Sequence, residues 1–228
     1  MPPPLGQGPA PAPEFLSIIQ HNCLGSWNVV LSLFESFKEE TTYSSIVPLQ
    51  DPPVNRAHLP SFDGFKSFFP LVRMPRVAAY VHISFLSNYT VRPRFKGVDD
   101  VLALDVSLNK PLFGTAFHSF RSINAYCTNT TDHRVHSVPP EVLFRDLGFP
   151  LLVLGDLNIH NPLWDPLQHF SQREISSSTP YFAKGAESGF ALLNPPGEYT
   201  WFPLLGKARP SVIDLAGANP PLLPLIKS

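Results

Sequence analysis

The chain has few charged residues and no long hydrophobic run. Charged residues make up 15% of its 228 residues and the formal net charge is −1, whereas roughly 25% of residues are charged in typical domains. A near-neutral chain has no global positive field, so any contact with nucleic acid needs a local basic patch. Because no run reaches the roughly 18 apolar residues of a membrane span, we expect no transmembrane helix and no membrane partner.

Cysteine is also scarce, and the N-terminal stretch lacks the features of an export signal. Cys23 and Cys127 are too few for a disulfide framework, so a reducing compartment is the simplest interpretation. Residues 1–14 contain neither a basic region nor an apolar stretch, which excludes a secretory signal there. We therefore expect an intracellular protein, nuclear or cytoplasmic, that is not secreted.

Proline, in contrast, is abundant. The chain has 27 prolines, about 12% of its residues where roughly 5% is usual. This content excludes a coiled coil or a helical bundle and favours short strands joined by rigid turns. Proline, glycine and alanine dominate residues 1–14, which we expect to form a disordered tail. Residues 15–228 are then predicted to form one domain.

Hydrophobic patterns predict many strands and few helices. Apolar residues at helical spacing predict a helix over residues 27–38 with Ser26 as its N-cap, and a second helix over 180–189 that ends at Gly189. Residues 52–75 contain five prolines and predict a long surface loop. This balance favours an α/β fold, a sandwich of two packed sheets. Strands are predicted over residues 15–22, 46–50, 77–83, 101–108, 120–126, 150–155, 199–202 and 211–216.

The densest polar cluster follows the most apolar predicted strand. It reads Gly-Asp-Leu-Asn-Ile-His-Asn over residues 155–161. A carboxylate and carboxamides at the carboxyl end of a strand can share one hydrated Mg²⁺, which prefers oxygen ligands. In isolation, however, this short pattern is more often a turn, because Gly, Asp and Asn favour turns for local reasons.

Polar side chains also stand at the ends of other predicted strands, at Asn22, Asp51 and Tyr126, and Asp214 lies within the last predicted strand. Each alone has an ordinary structural explanation, such as a turn start at Asp51 before proline or a half-buried core position for Tyr126. Together they match the way a metal-dependent phosphodiesterase site is assembled on loops over a rigid sheet.

The order of these motifs resembles the endonuclease/exonuclease/phosphatase superfamily. Within it, the sequence is most similar to the apurinic-endonuclease-like domain of non-LTR retrotransposons, especially the fungal forms fused to a reverse transcriptase. The resemblance implies a four-layer α/β sandwich of two mixed sheets flanked by helices, which cuts phosphodiester bonds with Mg²⁺ or Mn²⁺ and needs no small-molecule cofactor. The motifs span most of residues 16–225 and read Q-H-N-C, L-Q-D-P-P, I-N-A-Y, L-V-L-G-D-L-N-I-H-N-P-L-W and S-V-I-D-L-A-x-A-N.

The resemblance implies metal-binding roles for three residues. Asn22 matches the Asn of the family's metal shell on the first strand, and Asp214 matches the late Asp before the final strand. Asp51 stands where most members carry a metal-binding Glu, so its carboxylate is one methylene shorter and has a different reach.

Four further residues match the reacting part of the family site. Asp156 and Asn158 match the pair that positions the attacking water and the phosphate, and Tyr126 matches the Tyr that contacts the scissile phosphate. An ionised Asp156 could orient or deprotonate the water. His160 matches a His that retrotransposon members often carry two residues beyond that Asn.

DNA is the partner that the resemblance implies, and a reverse transcriptase domain is expected in a full-length element. Basic residues along the chain could supply phosphate contacts, although most are equally consistent with ordinary solvated surface. These candidates are Arg56, Arg73, Arg76, Arg92, Arg94 and Lys96.

The chain also departs from the family pattern. The family carries a Ser-Asp-His segment after the last motif, whereas the Thr-Asp-His at residues 131–133 precedes the G-D-L-N strand and is predicted as a loop. We therefore expect a C-terminally truncated domain with its last strand missing. Loss of the His from an interdependent catalytic unit costs several powers of ten in rate. Pro48 is expected to interrupt its strand, and Gly217 replaces a bulky apolar residue.

The sequence leaves more than one function open. The first is a Mg²⁺-dependent DNA endonuclease domain of retrotransposon origin that nicks DNA. The second is a catalytically inactive remnant of such an element, at most a binding module. The third is an enzyme of the same superfamily that acts on a phosphoinositide or a nucleotide. The sequence of residues 155–164 disfavours it, because it resembles the retrotransposon members.

Overall fold

The structure is a computed structural model of the chain. The predicted tail at residues 1–14 and the Thr-Asp-His loop at residues 131–133 lie outside the residues it describes. In the part of the chain that it covers, no helix is both long and apolar enough to cross a bilayer. The described residues are 16–39, 46–54, 59–72, 74–95, 98–109, 119–128, 137–144, 148–166, 170–200 and 210–226.

The described residues form two mixed β-sheets with helices on their outer faces. The four-stranded sheet has the order β1-β2-β4-β3, with β1 His21–Asn22, β2 Ile46–Gln50, β3 Phe65–Phe68 and β4 Val77–His82. The six-stranded sheet has the order β5-β6-β7-β8-β10-β9, with β5 Tyr89–Phe95, β6 Val101–Leu108, β7 Ser119–Tyr126, β8 Leu151–Asp156, β9 Ala191–Leu192 and β10 Asp214–Ala218. The helices are α1 Trp27–Glu39, α2 Ile83–Asn88, α3 Pro140–Leu143 and α4 Gln172–Glu187, followed by a 3-10 turn at Leu223–Leu225.

Three apolar layers separate these elements. Side chains alternate along each strand, so Leu152 and Leu154 of β8 point into the layer between the two sheets. Leu151 and Val153 point the other way, into a layer that also contains residues of α3 and α4. A third layer lies between α1 and the four-stranded sheet. The order helix, sheet, sheet, helix confirms the predicted four-layer α/β sandwich. The missing last strand stays a prediction.

The predicted helix over residues 27–38 is confirmed as α1. The hydroxyl oxygen of Ser26 accepts a hydrogen bond from the Val29 N–H at 3.4 Å, as an N-cap does. Phe34 and Phe37 are buried against the four-stranded sheet. Leu31 of the predicted apolar face is instead 46% exposed, so the buried stripe is narrower than the sequence pattern indicates.

Pro48 lies inside a continuous strand, so the expected interruption is wrong. All of β2 is buried, and Pro48 pairs with Ala79 of β4. Because proline has no N–H, β2 lacks one hydrogen-bond donor on its other side, which faces β1. There the predicted strand over residues 15–22 shrinks to an isolated bridge at Ile18 and the two-residue β1, and Pro48 lies between these two pairing points.

Residues 52–75 are not a loop throughout, which corrects a second prediction. β3 lies within them and pairs antiparallel with β4. Its Phe65 contacts the ring of Phe34 edge to face at 5.0 Å, and Phe62 stacks on the same ring at 3.8 Å. Packing against α1 therefore orders a stretch whose proline content alone indicates a loop.

The strands predicted at residues 77–83, 101–108, 120–126 and 150–155 are confirmed to within one residue as β4, β6, β7 and β8. The sequence patterns did not predict α2 or β5. β5 contains Arg92, Pro93 and Arg94, which are tolerated because β5 is the edge strand of its sheet.

The second predicted helix begins eight residues earlier than expected. α4 starts with a capping box, in which Ser171 and Glu174 bind each other's backbone N–H groups. It continues through Pro180, which is exposed, so water can bind the carbonyl that loses its donor. Gly189, with φ of +63°, follows its end.

The last predicted strands are also shifted. β10 begins at Asp214 rather than at residue 211, because side chains bind the preceding backbone N–H groups: Asp165 accepts from Val212 and Thr200 accepts from Ile213. Of the strand predicted at residues 199–202, the first two residues are not in a strand and the other two lie outside the described residues. Near Gly217 the ring of Phe190 fills the space, since a Cβ there would lie 2.8 Å from it.

A buried polar contact, which we call the Asn124 bridge, joins the two sheets. Asn124 of β7 is 2% exposed. Its Nδ2 donates to the carbonyl oxygens of Leu49 in β2 and Ala78 in β4, each at 2.9 Å. Its Oδ1 accepts a hydrogen bond from the buried side chain of Gln50. Because buried polar groups must be paired, this bridge fixes how the two sheets sit relative to each other.

We predict that Asn124→Ala lowers the free energy of unfolding by about 2–4 kcal/mol, because it removes buried hydrogen bonds and leaves the Gln50 amide without this partner. Urea-induced unfolding measures the change. Asn109→Ala is the control, since this exposed carboxamide also bonds to two neighbours, Thr90 and Ser87; a loss within about 0.5 kcal/mol is expected. Equal losses in the two variants would contradict the role of the bridge.

Candidate active site

The topology brings five of the predicted residues to one end of the sandwich. Asn22 ends β1 and Asp51 directly follows β2, and these two strands are parallel. Tyr126 and Asp156 end the parallel strands β7 and β8 and are paired in register. Asp214 begins the antiparallel β10 opposite Asp156. Parallel neighbours end at the same edge of a sheet, so the strand order itself collects these side chains.

A hydrogen bond across the sandwich links two of them. The Nδ2 of Asn22, in the four-stranded sheet, donates to Oδ2 of Asp156, in the six-stranded sheet, at 2.6 Å. The Oδ1 of Asn22 accepts the Leu24 N–H at 3.1 Å. The carboxamide of Asn22 is therefore held at both ends and cannot rotate freely.

Asp156 is a buried carboxyl, with 3% of the residue exposed. Its other oxygen, Oδ1, accepts the backbone N–H of Asn158 at 3.2 Å. Burial raises the pKa of Asp156 to about 7, with a smaller contribution from the nearby charge of Asp214 and one from Asp51, whereas the Asn158 hydrogen bonds act against the rise. Gly155 is required beside it, because a Cβ there would lie 1.9 Å from the Ala125 carbonyl oxygen of β7.

Asp214 is the second carboxyl of the site and is half-buried. Its backbone N–H donates to Oγ1 of Thr200 at 2.9 Å, and its carbonyl accepts from Nδ2 of Asn194 at 3.1 Å. Burial raises its pKa to about 6, and a hydrogen bond from Thr200 opposes this rise. Its Oδ1 is buried and has no hydrogen-bond partner among the described residues.

Arg76 lies between Asp51 and Tyr126. Its Nε donates to Oδ1 of Asp51 at 2.8 Å, and its guanidinium carbon lies 4.2 Å from the centre of the Tyr126 ring. Burial raises the pKa of Tyr126; Arg76 opposes this, whereas the charges of Asp51, Asp156 and Asp100 add to it. Tyr126 therefore keeps its hydroxyl proton at neutral pH.

Asn158 and His160 lie on the loop after β8. Asn158 has φ of +47°, an uncommon conformation for a residue other than glycine. Its Nδ2 donates to the carbonyl of Cys127, just beyond β7, at 2.9 Å. The ring of His160 stacks on Phe170, with 5.6 Å between the centroids. The structure thus connects Asn158 to the cluster around Asp156, while the role of His160 stays a prediction.

A cleft of about 370 Å³ opens beside Asp214, between the edge strand β1 and β10. The groups that line it are mainly carboxamides and a hydroxyl, and burial lowers the pKa of His21 among them. A second, apolar cavity of about 340 Å³ lies between α4 and the six-stranded sheet and contains none of the predicted site residues. The lining of the cleft is Gln20, His21, Asn22, Asn194, Thr200, Asp214 and Ala216.

The donor atoms at the strand ends fit a divalent cation. The charge of Asp214 raises the pKa of the buried Asp156, so the two carboxylates repel each other. The buried Oδ1 of Asp214 has no hydrogen-bond partner within the described residues. A cation between them would relieve both problems, and carboxylate and amide oxygens suit Mg²⁺ or Mn²⁺. Across the ranges that the structure describes, no three His, Cys, Asp or Glu side chains group as a metal site. The fit therefore depends on the two carboxylates, since Asn22 turns its Nδ2 toward Asp156 and its Oδ1 toward the Leu24 N–H.

Sequence reasoning missed several residues of the site. In the sequence Arg76 is only one of six basic candidates. Arg92 and Arg94 lie on β5, away from β8 and β10. The other three candidates, Arg56, Arg73 and Lys96, lie outside the described residues. Thr200 and Asn194, which hold the backbone of Asp214, carried no motif. Their contacts join residues that lie far apart in the chain, so no local pattern could reveal them.

The raised pKa of Asp156 predicts how stability depends on pH without divalent cations. The protonated form is favoured in the fold, so the stability from this carboxyl is complete below about pH 4 and is lost as pH rises through about 7. In EDTA, we expect the free energy of unfolding to fall by about 2–3 kcal/mol between about pH 5 and about pH 8. Asp214 acts in the same direction.

Urea unfolding at several pH values in EDTA measures this effect. Asp156→Asn should flatten the pH dependence, because its side chain does not ionise. Asp63→Asn, at an exposed carboxyl in the loop before β3, should leave the pH dependence as it is in the wild type. An Asp156→Asn variant with the full wild-type dependence would refute the assignment.

Comparisons with known proteins bear on the fold. No family model matches the chain, and no curated protein matches it by sequence. Among solved structures, the endonuclease domain of TRAS1, a telomere-specific non-LTR retrotransposon, matches with a TM-score of 0.68 and 16% identity, covering 94% of this chain and 90% of that one. The catalytic domain of Xenopus laevis APE2 matches with a TM-score of 0.60 and 14% identity, covering 91% and 83%.

TDP2 from D. rerio, complexed with a single-strand DNA product, matches with a TM-score of 0.52 and 12% identity, covering 90% of this chain and 83% of that one. Identities this low establish the fold alone. They confirm the fold that the motifs implied, whereas a fungal origin and a C-terminal truncation stay predictions. The chain shares the α/β sandwich fold of these structures, which is the fold of the endonuclease/exonuclease/phosphatase superfamily.

Proposed function

We propose that this chain is a divalent-metal-dependent DNA endonuclease domain of retrotransposon origin that nicks DNA. One observation carries the proposal: the buried Asp156 and the half-buried Asp214 lie together at the strand ends, both with raised pKa values, and an oxygen of Asp214 has no partner within the described residues. Such a pair is costly for the fold alone and useful for holding a cation. The shared fold with the TRAS1 endonuclease domain supports the choice of reaction.

Hydrolysis of a phosphodiester needs charge neutralised on its oxygens, an activated water and a stabilised leaving group. Asp156 and Asp214 are the residues that would hold Mg²⁺ or Mn²⁺, with Asn22 bound to Asp156 beside them, and a bound cation would supply charge neutralisation and Lewis acidity. The remaining tasks fall to the chain's own side chains.

In this proposal Asp156 orients the attacking water. Both of its oxygens accept hydrogen bonds, from Asn22 and from the Asn158 backbone, so the carboxyl group is fixed in orientation. Because a bound cation would hold this carboxyl in its ionised form, Asp156 would orient the water rather than take up its proton.

Tyr126 and Asn158 are placed to orient the phosphate. Tyr126 is paired in register with Asp156, and its raised pKa keeps the hydroxyl protonated, so it can donate a hydrogen bond to a phosphate oxygen. The Nδ2 of Asn158 donates a hydrogen bond to the carbonyl of Cys127. That contact fixes the side chain against the end of β7, beside Tyr126.

DNA is proposed as the substrate because one solved structure that shares the fold is an endonuclease domain, and another is complexed with a DNA product. A reverse transcriptase in the full-length element, which the sequence motifs imply, is part of the same proposal. So is an intracellular location, which the scarcity of cysteine and the composition of residues 1–14 predict.

We predict that the purified chain nicks supercoiled plasmid when Mg²⁺ or Mn²⁺ is present and does not nick it in EDTA. Asp156→Asn should lower the nicking rate by about 1,000-fold or more, because the group that orients the water is lost. Conversion of supercoiled to open-circular plasmid on agarose gels measures the rate. The control is Glu187→Gln, at an exposed carboxyl of α4, which should nick like the wild type.

The assay also separates the alternatives. If the folded wild type binds DNA but does not nick it with either metal at high enzyme concentration, the chain is an inactive remnant. If it instead hydrolyses a phosphoinositide or a nucleotide under the same conditions and leaves plasmid intact, the superfamily reaction holds and the DNA substrate is wrong.

A further inference from the structure

Arg76 occupies an unusual place beside the candidate active site. Its guanidinium is paired with the carboxylate of Asp51 at 2.8 Å and lies over the ring of Tyr126 at 4.2 Å. About a third of its side chain, 34%, is exposed. The guanidinium is thus fixed on two sides and open to solvent on another.

The backbone reinforces the contact between Asp51 and Arg76. The Asp51 N–H donates to the Arg76 carbonyl at 2.7 Å, and the Asp51 carbonyl accepts the Gly25 N–H at 2.8 Å. Asp51 has φ of +44°, which few residues other than glycine adopt. A residue held this way in an uncommon conformation has its side-chain direction determined by the fold, and that direction is toward Arg76.

The contacts of Asp51 differ from those of Asp156 and Asp214. One oxygen of Asp51 is already bound to Arg76. By contrast, Asp214 Oδ1 has no partner in the described part of the chain.

From these observations we propose that Asp51 is the anchor of Arg76 rather than a ligand of the cation, and that Arg76 binds a phosphate of the nucleic acid substrate beside Tyr126. This inference rests on the proposed function of the same site. It assigns the sequence-predicted metal residue Asp51 a different task and makes Arg76 the positioning residue for the anionic substrate.

The chemistry of the guanidinium suits this task. Asp51 binds Nε, and within the described residues the terminal N–H groups stay available in the planar fork that matches phosphate oxygens. The Tyr126 ring beneath the guanidinium keeps it in plane through a cation–π contact. Among the groups that act on Tyr126, Asp51, Asp100 and Asp156 are negative and Arg76 opposes them, so Arg76 is the attractive charge for an approaching phosphate.

The first test measures Mn²⁺ binding to the full chain by isothermal titration calorimetry, without DNA. Asp156→Asn should weaken Mn²⁺ binding by about tenfold or more, because a carboxylate ligand is lost. Asp51→Asn should change the Kd by less than about threefold, as expected for removal of a carboxylate that is not a ligand. If Asp51→Asn weakens Mn²⁺ binding as much as Asp156→Asn does, the inference is overturned while the proposed function stands. A wild type that binds no Mn²⁺ overturns both.

The second test measures binding of a fluorescein-labelled single-stranded oligonucleotide in EDTA by fluorescence anisotropy. Arg76→Met should weaken binding by about tenfold, because a charge-assisted contact to phosphate is lost. Asp51→Asn should also weaken it, since the guanidinium loses its anchor. Lys184→Met is the matched control: Lys184 is a paired cation on α4 with a similar exposed fraction, 37%, and its loss should leave the affinity unchanged.

Arg76→Lys separates binding from a purely structural effect. Lysine keeps the charge but not the planar fork, so we expect an affinity between those of the wild type and Arg76→Met, and it serves if Arg76→Met does not fold. Thermal melts monitored by circular dichroism report folding. Oligonucleotide affinities for folded Arg76→Met, or for Arg76→Lys in its place, equal to that of Lys184→Met would overturn the inference.

Discussion

The relative position of the two sheets is the constraint on which the candidate site depends. Asn22 belongs to one sheet and Asp156 to the other, and their 2.6 Å hydrogen bond forms only if the two sheets are correctly aligned. The Asn124 bridge provides that alignment, because the buried carboxamide of one sheet binds the backbone of β2 and β4 in the other. The apolar layer between the sheets supplies most of the driving force, but it is non-directional. Polar geometry sets the alignment that apolar packing alone leaves loose.

Charge is the second constraint on this end of the molecule. Placing the buried Asp156 beside the half-buried Asp214 costs stability, and the pKa values of both carboxyls are raised. This cost falls at the strand ends, where a bound cation would offset it, while the layers beneath stay apolar. Arg76 illustrates the same balance, since its charge is held between Asp51 and the Tyr126 ring. Stability and the proposed reaction therefore place opposite demands on the same few side chains.

Much of the fold was predictable because its signals are local. The apolar runs of β6, β7 and β8 and the N-cap and spacing of α1 identify these elements to within a residue. The errors fall where tertiary contacts override local preference. Pro48 lies within a central strand, and Phe62 and Phe65 order a proline-rich stretch by packing on α1. β5 has little hydrophobic signal because it is an edge strand.

By itself, the sequence determined the class of fold and the set of polar residues that stand at strand ends, since both follow from periodicity and from short motifs such as the G-D-L-N segment. Which of these residues contact each other depends on the tertiary structure. It paired Asn22 with Asp156, left Asp214 Oδ1 without a partner in the described residues, and turned Asp51 toward Arg76. The physical reason is that these contacts join residues from 25 to 134 positions apart in the chain, such as Asp51 with Arg76 and Asn22 with Asp156. Sheet register and strand order, rather than local composition, set their distances.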